Sequence, residues 1–428
     1  MGKRERLARF SSWYGPAHPS FSGGNEARLL RGGDQLFPAQ VERISSATDE
    51  VWLATYIFYG DAAGETLVAA LRAAAERGVR VRVVVDGFGS KAYLPWLRQA
   101  LAGSSVALAV FRPLDRWWRY LQPGQLRRLH QKLCVVDGEF AFVGGVNIIE
   151  DRRDIHHGLS EAPRLDYAVE LRGESVAPIA QAARAVWTRA WLGRDFGEEM
   201  RNLVRSKEPL RRVQNLLNSL RMPRPESVRD RDATRQDLAP VRVALVLRDN
   251  LRQRRTIEHA YVEAIRLAKT SVDLITPYFY PGQSFRMALC AAAQRGVRVR
   301  LLLQGKVDYR IAAMAAHALY AELLGHGVQI YEYEPAFLHA KVAVVDGEWA
   351  TVGSSNIDPL SLLLNLEANV IVLDEGFAAD LQREFELALQ ESQPAGQASG
   401  GLRSMASRAL VAWAAHVYLR VAGAGGRY

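Results

Sequence analysis

The chain has 428 residues, 49% of them hydrophobic, enough for two domains of ordinary size or one unit present twice. Its formal net charge of +9 directs attention to anionic partners (nucleic acid, an acidic membrane surface or phosphorylated substrates) without choosing among them. Two cysteines exclude a disulfide framework or thiolate zinc site, and the charged N-terminus and lack of an apolar run of roughly 18 residues argue against a signal peptide and a membrane span.

In chain order, a helix is predicted over Pro38–Ala47 and an apolar strand over Val51–Phe58. A second helix ends in Ala73-Ala-Ala-Glu-Arg-Gly78 and feeds the strand Val79-Arg-Val-Arg-Val-Val-Val85, with the glycine as the helix stop. The run Phe111–His130 interleaves Arg with Trp and Tyr and leads into the apolar strand Leu133–Val136, which holds Cys134 as a core residue. Residues Gly193–Leu238 are charged and include Met222-Pro-Arg-Pro-Glu226, so they read as a connector with some helix around Gln214–Leu220. The pattern then starts again: helix Arg254–Lys269, strand Ser271–Pro277, and a helix carrying Cys290 that ends at Gly296. Strands follow at 297–303 and Val342–Val345. Glu391–Gly401 is linker-like, and Arg403–Val421 is an amphipathic helix too short in its apolar part to span a bilayer. Strands alternating with helices predict an α/β fold, a sandwich with a largely buried sheet. The expected organisation is a first lobe over 1–195, a connector over 196–240, a second lobe over 241–392, and a linker with the C-terminal helix over 393–428.

Two internal matches support duplication. Residues 73–87 and 291–305 agree at ten of fifteen positions, and His130–Ile148 aligns without a gap with His339–Ile357, 209 residues later, at twelve of nineteen. The longer match contains His130-x-Lys132, Asp137 and Gly144-Gly145-x-Asn147, against His339-x-Lys341, Asp346 and Gly353-Ser354-x-Asn356. A lone His-x-Lys is weak evidence, but the full spacing twice is strong. Metal-free phosphoryl transfer needs a nucleophile, cations for the phosphate oxygens and a proton donor. On a strand, positions i and i+2 share a side, so each His and Lys can face one cleft while Gln131 and Ala340 face away. Two such pairs surround one phosphate with two imidazoles and two ammonium groups.

With its spacing of His-x-Lys-x4-Asp-x6-Gly-x2-Asn in duplicate, the chain resembles the phospholipase D superfamily, and within it the bacterial cardiolipin synthases of the shorter B type. The run Ala350–Val370, with Phe142–Asn147 and Leu165–Val169, carries the resemblance, which covers roughly Gln35 to Leu389. It implies two tandem α/β/α sandwich lobes sharing one active site, a phosphohistidine intermediate, and no cofactor or metal. Carried over by residue, His130 is the nucleophile and His339 the acid, later the base. Lys132, Lys341, Asn147, Ser354 and Asn356 bind substrate, and Asp166 and Glu367 orient the imidazoles. Asp137 and Asp346 belong to the catalytic motif, yet five residues past each lysine they are expected to hold backbone. Gly145 stands where the superfamily motif has Ser, in common with the cardiolipin synthases.

Three readings of 111–130 stay open: lipid headgroup contact, single-stranded nucleic acid, or aromatics packed inward. The tail helix reads as a membrane-interface element or as a helix docked on the protein's own core. Together they point to a peripheral enzyme on the anionic cytoplasmic leaflet of the bacterial inner membrane, with phosphatidylglycerol as substrate and no nucleic-acid partner. The expected reaction joins two phosphatidylglycerols into cardiolipin and releases glycerol. Hydrolysis of a phosphodiester and a catalytically silent lipid-binding scaffold are the alternatives.

Overall fold

A computed structural model describes residues 19–113, 127–155, 158–204, 241–248, 253, 255–306, 319–357 and 365–395, with backbone alone over 193–204. The Arg- and Trp-rich residues 114–126, the expected helix Gln214–Leu220 and the tail helix Arg403–Val421 lie outside them.

The elements run β1 (Phe21–Ser22), β2 (Glu26–Arg31), α1 (Gly32–Ser46), β3 (Glu50–Thr55), α2 (Ala62–Glu76), β4 (Arg80–Asp86), α3 (Leu94–Ala100) and β5 (Ala107–Phe111). After these come β6 (Arg128–Leu129), β7 (Leu133–Val136), β8 (Phe140–Gly144), β9 (Arg153–Asp154), β10 (Gly158–Leu159), β11 (Tyr167–Arg172) and α4 (Val176–Val204). The second half holds β12 (Arg242–Arg248), α5 (Thr256–Leu267), β13 (Ser271–Thr276), α6 (Gln283–Gln294), β14 (Arg298–Gln304) and β15 (Gln329–Tyr333). It closes with β16 (Val342–Val345), β17 (Trp349–Gly353), β18 (Asn365–Leu373), α7 (Glu375–Gln390) and β19 (Ser392–Pro394).

Among the described residues a seven-stranded sheet has the order β2-β11-β8-β7-β3-β4-β5, and a second has β1-β12-β18-β17-β16-β13-β14-β15-β19. In each, three strands joined through helices run parallel and the hairpin-connected motif strands run antiparallel. Strand β3 is buried at every position and β4 at five of seven, as the Val-rich pattern of a sheet covered on both faces predicts. On one face of the first sheet α1 and α2 bury Leu36, Phe37, Leu67 and Leu71; on one face of the second α5 and α6 bury Ile257, Tyr261, Phe285 and Leu289. The third core is common property. Leu133 and Val135 of β7, Val342 and Val344 of β16, Ile179 and Val186 of α4 and Leu381 and Phe385 of α7 form one cluster. The fold is therefore mixed α/β in two lobes that share apolar packing. Strand β1 pairs with β12 of the second sheet, and α4 runs through the expected boundary at 195.

Both glycine stops behave as their sequence suggests. Gly78 and Gly296 have φ of +91° and +89°, and the next amides, of Val79 and Val297, reach back to Ala74 and Ala292 at 3.1 Å. That is the bonding of a Schellman turn. The helix expected from Pro38 instead begins at Gly32, with Pro38 inside it. Its first turn is capped from a distance: the Asp151 carboxylate accepts from the amides of Gly33 at 2.7 Å and Asp34 at 3.1 Å. A tertiary cap of this kind leaves no local mark in the sequence. The expected connector likewise starts late, because residues 193–204 continue α4.

Candidate active site

The two His-x-Lys segments lie where the chain changes sheets. Strand β6 runs parallel to β18 of the second sheet, His130 N donates to Leu366 O at 3.0 Å, and the chain then returns to the first sheet as β7. The second copy mirrors this. Leu338 bridges to Leu165 of the first lobe, His339 N donates to Leu165 O at 2.9 Å, and β16 rejoins the second sheet. Residues 130–132 and 339–341 thus sit between strands rather than on one. A segment that leaves one ladder for another cannot keep a single strand's register, which corrects the i, i+2 argument.

This crossing couples each imidazole to a carboxylate of the opposite half. His130 Nδ1 lies 2.9 Å from Glu367 Oε2 and 3.2 Å from Ser354 O. His339 Nδ1 lies 2.6 Å from Asp166 Oδ2. A carboxylate on Nδ1 fixes the tautomer and leaves Nε2 for chemistry. Lys132 Nζ donates to His130 O at 2.8 Å, and Lys341 Nζ donates to His339 O, so each ammonium curls back over its own motif. Gln131 is buried and donates to Glu367 O at 3.1 Å, a second tie between the halves. Asn147 and Asn356 are buried, and Asn147 Oδ1 accepts from Ile57 N at 3.3 Å.

The two couples differ. Ser354 is buried, and its hydroxyl donates to Glu367 Oε2 at 2.6 Å, the oxygen that also faces His130. Ser354 is thus engaged by protein rather than turned toward a ligand. Its counterpart Gly145 has no room for a side chain, since a Cβ there falls 2.2 Å from Asp166 Oδ1. The glycine and the shorter carboxylate belong together, as do the serine and the longer one. Tyr56 sets its ring edge-on to His130, 5.0 Å between centroids, with Lys132 Nζ 5.6 Å from the same ring. The side chain of His130 is 11% exposed and that of His339 25%.

Electrostatics follow from burial and two close ammonium groups. Burial, with Lys132 and Lys341, lowers the His130 pKa, while Glu367 opposes the shift. His339 falls well below its ordinary value through burial, then Lys341, Lys132 and Arg164. Burial brings Lys132 down to about 7. Burial also pushes Asp166 up to about 6 against the pull of Lys341. Glu367 feels the same burial, yet the His130 ring and Lys132 and the Ser354 hydroxyl hold it below the usual glutamate range. Without a ligand, both rings rest neutral at neutral pH.

Asp137 and Asp346 lie at the far ends of β7 and β16, on the other side of a four-residue strand from the lysines. Each has a positive φ, +53° and +54°, and each carboxylate staples a loop. Asp137 accepts from the amides of Thr48, Asp49 and Glu50 at 2.8–2.9 Å. Asp346 accepts from those of Lys269, Thr270 and Ser271 at 2.8–2.9 Å. This geometry gives them a backbone-holding part and no place in the catalytic set.

Two further residues escaped the sequence reading. Asp86 Oδ2 accepts from Leu129 N at 2.9 Å, and Gln304 Oε1 accepts from Leu338 N at 2.5 Å, each pinning the residue just before a histidine. They are the matching polar ends of the repeated Val-Val-Val-Asp86 and Leu-Leu-Leu-Gln304 runs. A polar residue closing an apolar strand at the same place in both copies was the available signal.

Over residues 41–156 and 261–388 the chain matches the family described as "Cardiolipin synthase, PLD-like domain". Cardiolipin synthase B of Escherichia coli O6:H1 is 36% identical over 367 residues, 85% of this chain and 80% of that protein. Cardiolipin synthase B of Salmonella typhi is 38% identical over 362 residues, 84% and 79% of the two. The crystal structure of a phosphatidylserine synthase from Haemophilus influenzae Rd KW20 superposes with a TM-score of 0.61 at 13% identity, covering 98% of both chains, a likeness of fold alone.

Proposed function

The chain belongs to the cardiolipin synthase, phospholipase D-like family, and we propose that it transfers a phosphatidyl group from one phosphatidylglycerol to another, forming cardiolipin and releasing glycerol. The observation that carries this reading is the pair of imidazole–carboxylate couples formed across the two halves, with Lys132 and Lys341 beside them.

His130 Nε2 attacks phosphorus, and the bond to the glycerol oxygen breaks as that oxygen takes a proton from His339. The phosphatidyl group then rests on His130. The free hydroxyl of a second phosphatidylglycerol gives its proton to His339 and attacks phosphorus, releasing His130 and cardiolipin. One phosphodiester replaces another, so no nucleotide is consumed. His130 suits the nucleophile's part because an ionised Glu367, steadied by Ser354, balances the positive charge that grows on the attacked-through ring. The more exposed His339 suits proton exchange with alcohols that come and go. An arriving anionic phosphate offsets the two ammonium groups that depress His339, so its protonation accompanies binding. Lys132, Lys341, Asn147 and Asn356 hold the phosphate oxygens.

The two lobes, taken as 1–195 and 241–392, work as one catalytic body at an anionic membrane surface, the cytoplasmic leaflet of the inner membrane. Among the described residues no helix is long and apolar enough to cross a membrane. The test is lipid mass spectrometry after mixing the purified chain with phosphatidylglycerol vesicles, beside His130→Ala and His339→Ala. Cardiolipin from the unaltered chain alone supports transfer. Phosphatidic acid without cardiolipin makes the chain a hydrolase, and no turnover ends the phospholipid reading.

A further inference from the structure

Large apolar side chains left in water mark surfaces that meet something apolar when they gather in one place. Three exposed ones, Phe88, Ile155 and Leu159, are 51%, 41% and 74% exposed and stand on loops at the end of the first sheet where β4 and β8 finish. Phe88 follows the end of β4. Ile155 directly follows β9, and Leu159 stands on β10, where it pairs with Arg153.

Aromatic contacts tie these loops together and to the catalytic cleft. The Arg153 guanidinium lies 5.8 Å over the Tyr59 ring, and Tyr59 meets Tyr93 at 3.8 Å between centroids. Lys91, two residues before Tyr93, donates its amide to Phe88 O at 3.2 Å. The Phe88 loop hangs on Asp86, which accepts from Phe88 N at 2.8 Å and from Leu129 N beside His130. The same loops carry Lys91 and Arg152, both exposed, with Arg153 half-buried. Acidic groups here are largely spoken for. Asp61 and Asp86 are buried, Asp154 pairs with Arg164 at 3.5 Å and Glu150 with Arg153 at 3.4 Å, leaving Glu161 exposed.

We propose that these loops are the membrane-docking face: Phe88, Ile155 and Leu159 enter the interfacial layer of an anionic phospholipid bilayer, with the exposed Lys91 and Arg152 at headgroup level. Apolar tips with exposed cations on the same loops are what such a surface rewards, through buried apolar area and attraction to its charge. The inference rests on the phosphatidyl-transfer reading and adds which loops meet the membrane, one of them tied through Asp86 to Leu129 beside His130.

The test is flotation of the full chain with phosphatidylglycerol or phosphatidylcholine vesicles, a readout independent of turnover. The variant F88S/I155S/L159S is compared with L267S/M287S/L387S, which alters exposed apolar residues on helices elsewhere. The expected result is preference for phosphatidylglycerol, binding about tenfold weaker in the first variant, and binding within about twofold of the unaltered chain in the second. If the triple variant melts early, Ile155→Ser and Leu159→Ser singly carry the test, each expected to bind two- to threefold more weakly. The proposal is overturned if the unaltered chain binds neither vesicle, binds both alike, or binds no better than the first variant. Cardiolipin formation by the unaltered chain, scored separately, tells the two failures apart: cardiolipin from that chain with flotation unchanged in the first variant sinks the docking face, and flotation lost as expected in the variant, with no cardiolipin from the unaltered chain, sinks the transfer reading.

Discussion

Gly145→Ser restores the residue that the second half carries at the matching place, and the structure predicts that it is harmful. The new Cβ falls 2.2 Å from Asp166 Oδ1 and 3.0 Å from Cγ, where ordinary contact begins near 3.4 Å. The carboxylate has to retreat by roughly 1 Å, in an interior packed too tightly to absorb it. Its 2.6 Å bond to His339 Nδ1 is then lost. Partners of this kind are worth about 10–100-fold in activity, and overpacking costs about 1–3 kcal/mol of stability. Gly145 is not at positive φ, so the harm is steric. The partner substitution Asp166→Glu, made together with it, copies the 2.6 Å pairing of Ser354 with Glu367. The double variant should recover much of the loss, with a coupling of about 1–3 kcal/mol. The assay is cardiolipin formation by lipid mass spectrometry with kcat and KM separated, alongside thermal melting. A Gly145→Ser enzyme with the original kcat, or a double variant no better than the worse single one, refutes the argument.

Glu367→Gln removes the charge that faces both His130 and Ser354, and kcat should fall by about 10–100-fold; an unchanged kcat would exclude Glu367 as a positioning residue. Because the Asp166 pKa sits at about 6, the acid limb of kcat/KM for the unaltered chain should fall as pH drops through that region. Asp166→Asn should be slow throughout and lack that limb. Burial lifts Asp137, but the amides of Thr48, Asp49 and Glu50 bring it below its ordinary value, so its stabilisation is complete above about pH 5 and fades as pH falls through the folded value. Asp137→Ala should lose about 1–3 kcal/mol at neutral pH by chemical denaturation and show a flatter acid dependence. Lys132→Met should abolish transfer yet melt higher than the unaltered chain at pH 6, where the fold carries an ammonium that burial disfavours. That advantage should shrink as pH rises from 7 toward 10, and a lower melting temperature at pH 6 would contradict the burial argument.

The fold was readable where local rules suffice. Val-rich runs such as 79–85 gave buried strands, and Gly78 and Gly296 gave helix ends, because both depend on residues within a few positions. The start of α1 was not readable, because its cap comes from Asp151, more than a hundred residues away. The same divide runs through the site. The repeated His-x-Lys words announced themselves, whereas which carboxylate serves which ring depends on strands passing between sheets. Gly145 looked like a departure from a pattern until its space proved to be filled by Asp166. Asp86 and Gln304 hid because a polar residue at a strand end has many ordinary uses.

The crossed couples restrict how this chain can be recombined. Swapping one half for that of a relative exchanges His130 but not Glu367, and Asp166 but not His339. Both couples become hybrid in a single stroke, and an adjustment made on one side of the seam loses its counterpart. A hybrid spliced at the connector should therefore work only where each parent's half presents to the other's imidazole the carboxylate that ring was built to meet, Glu367 for His130 and Asp166 for His339.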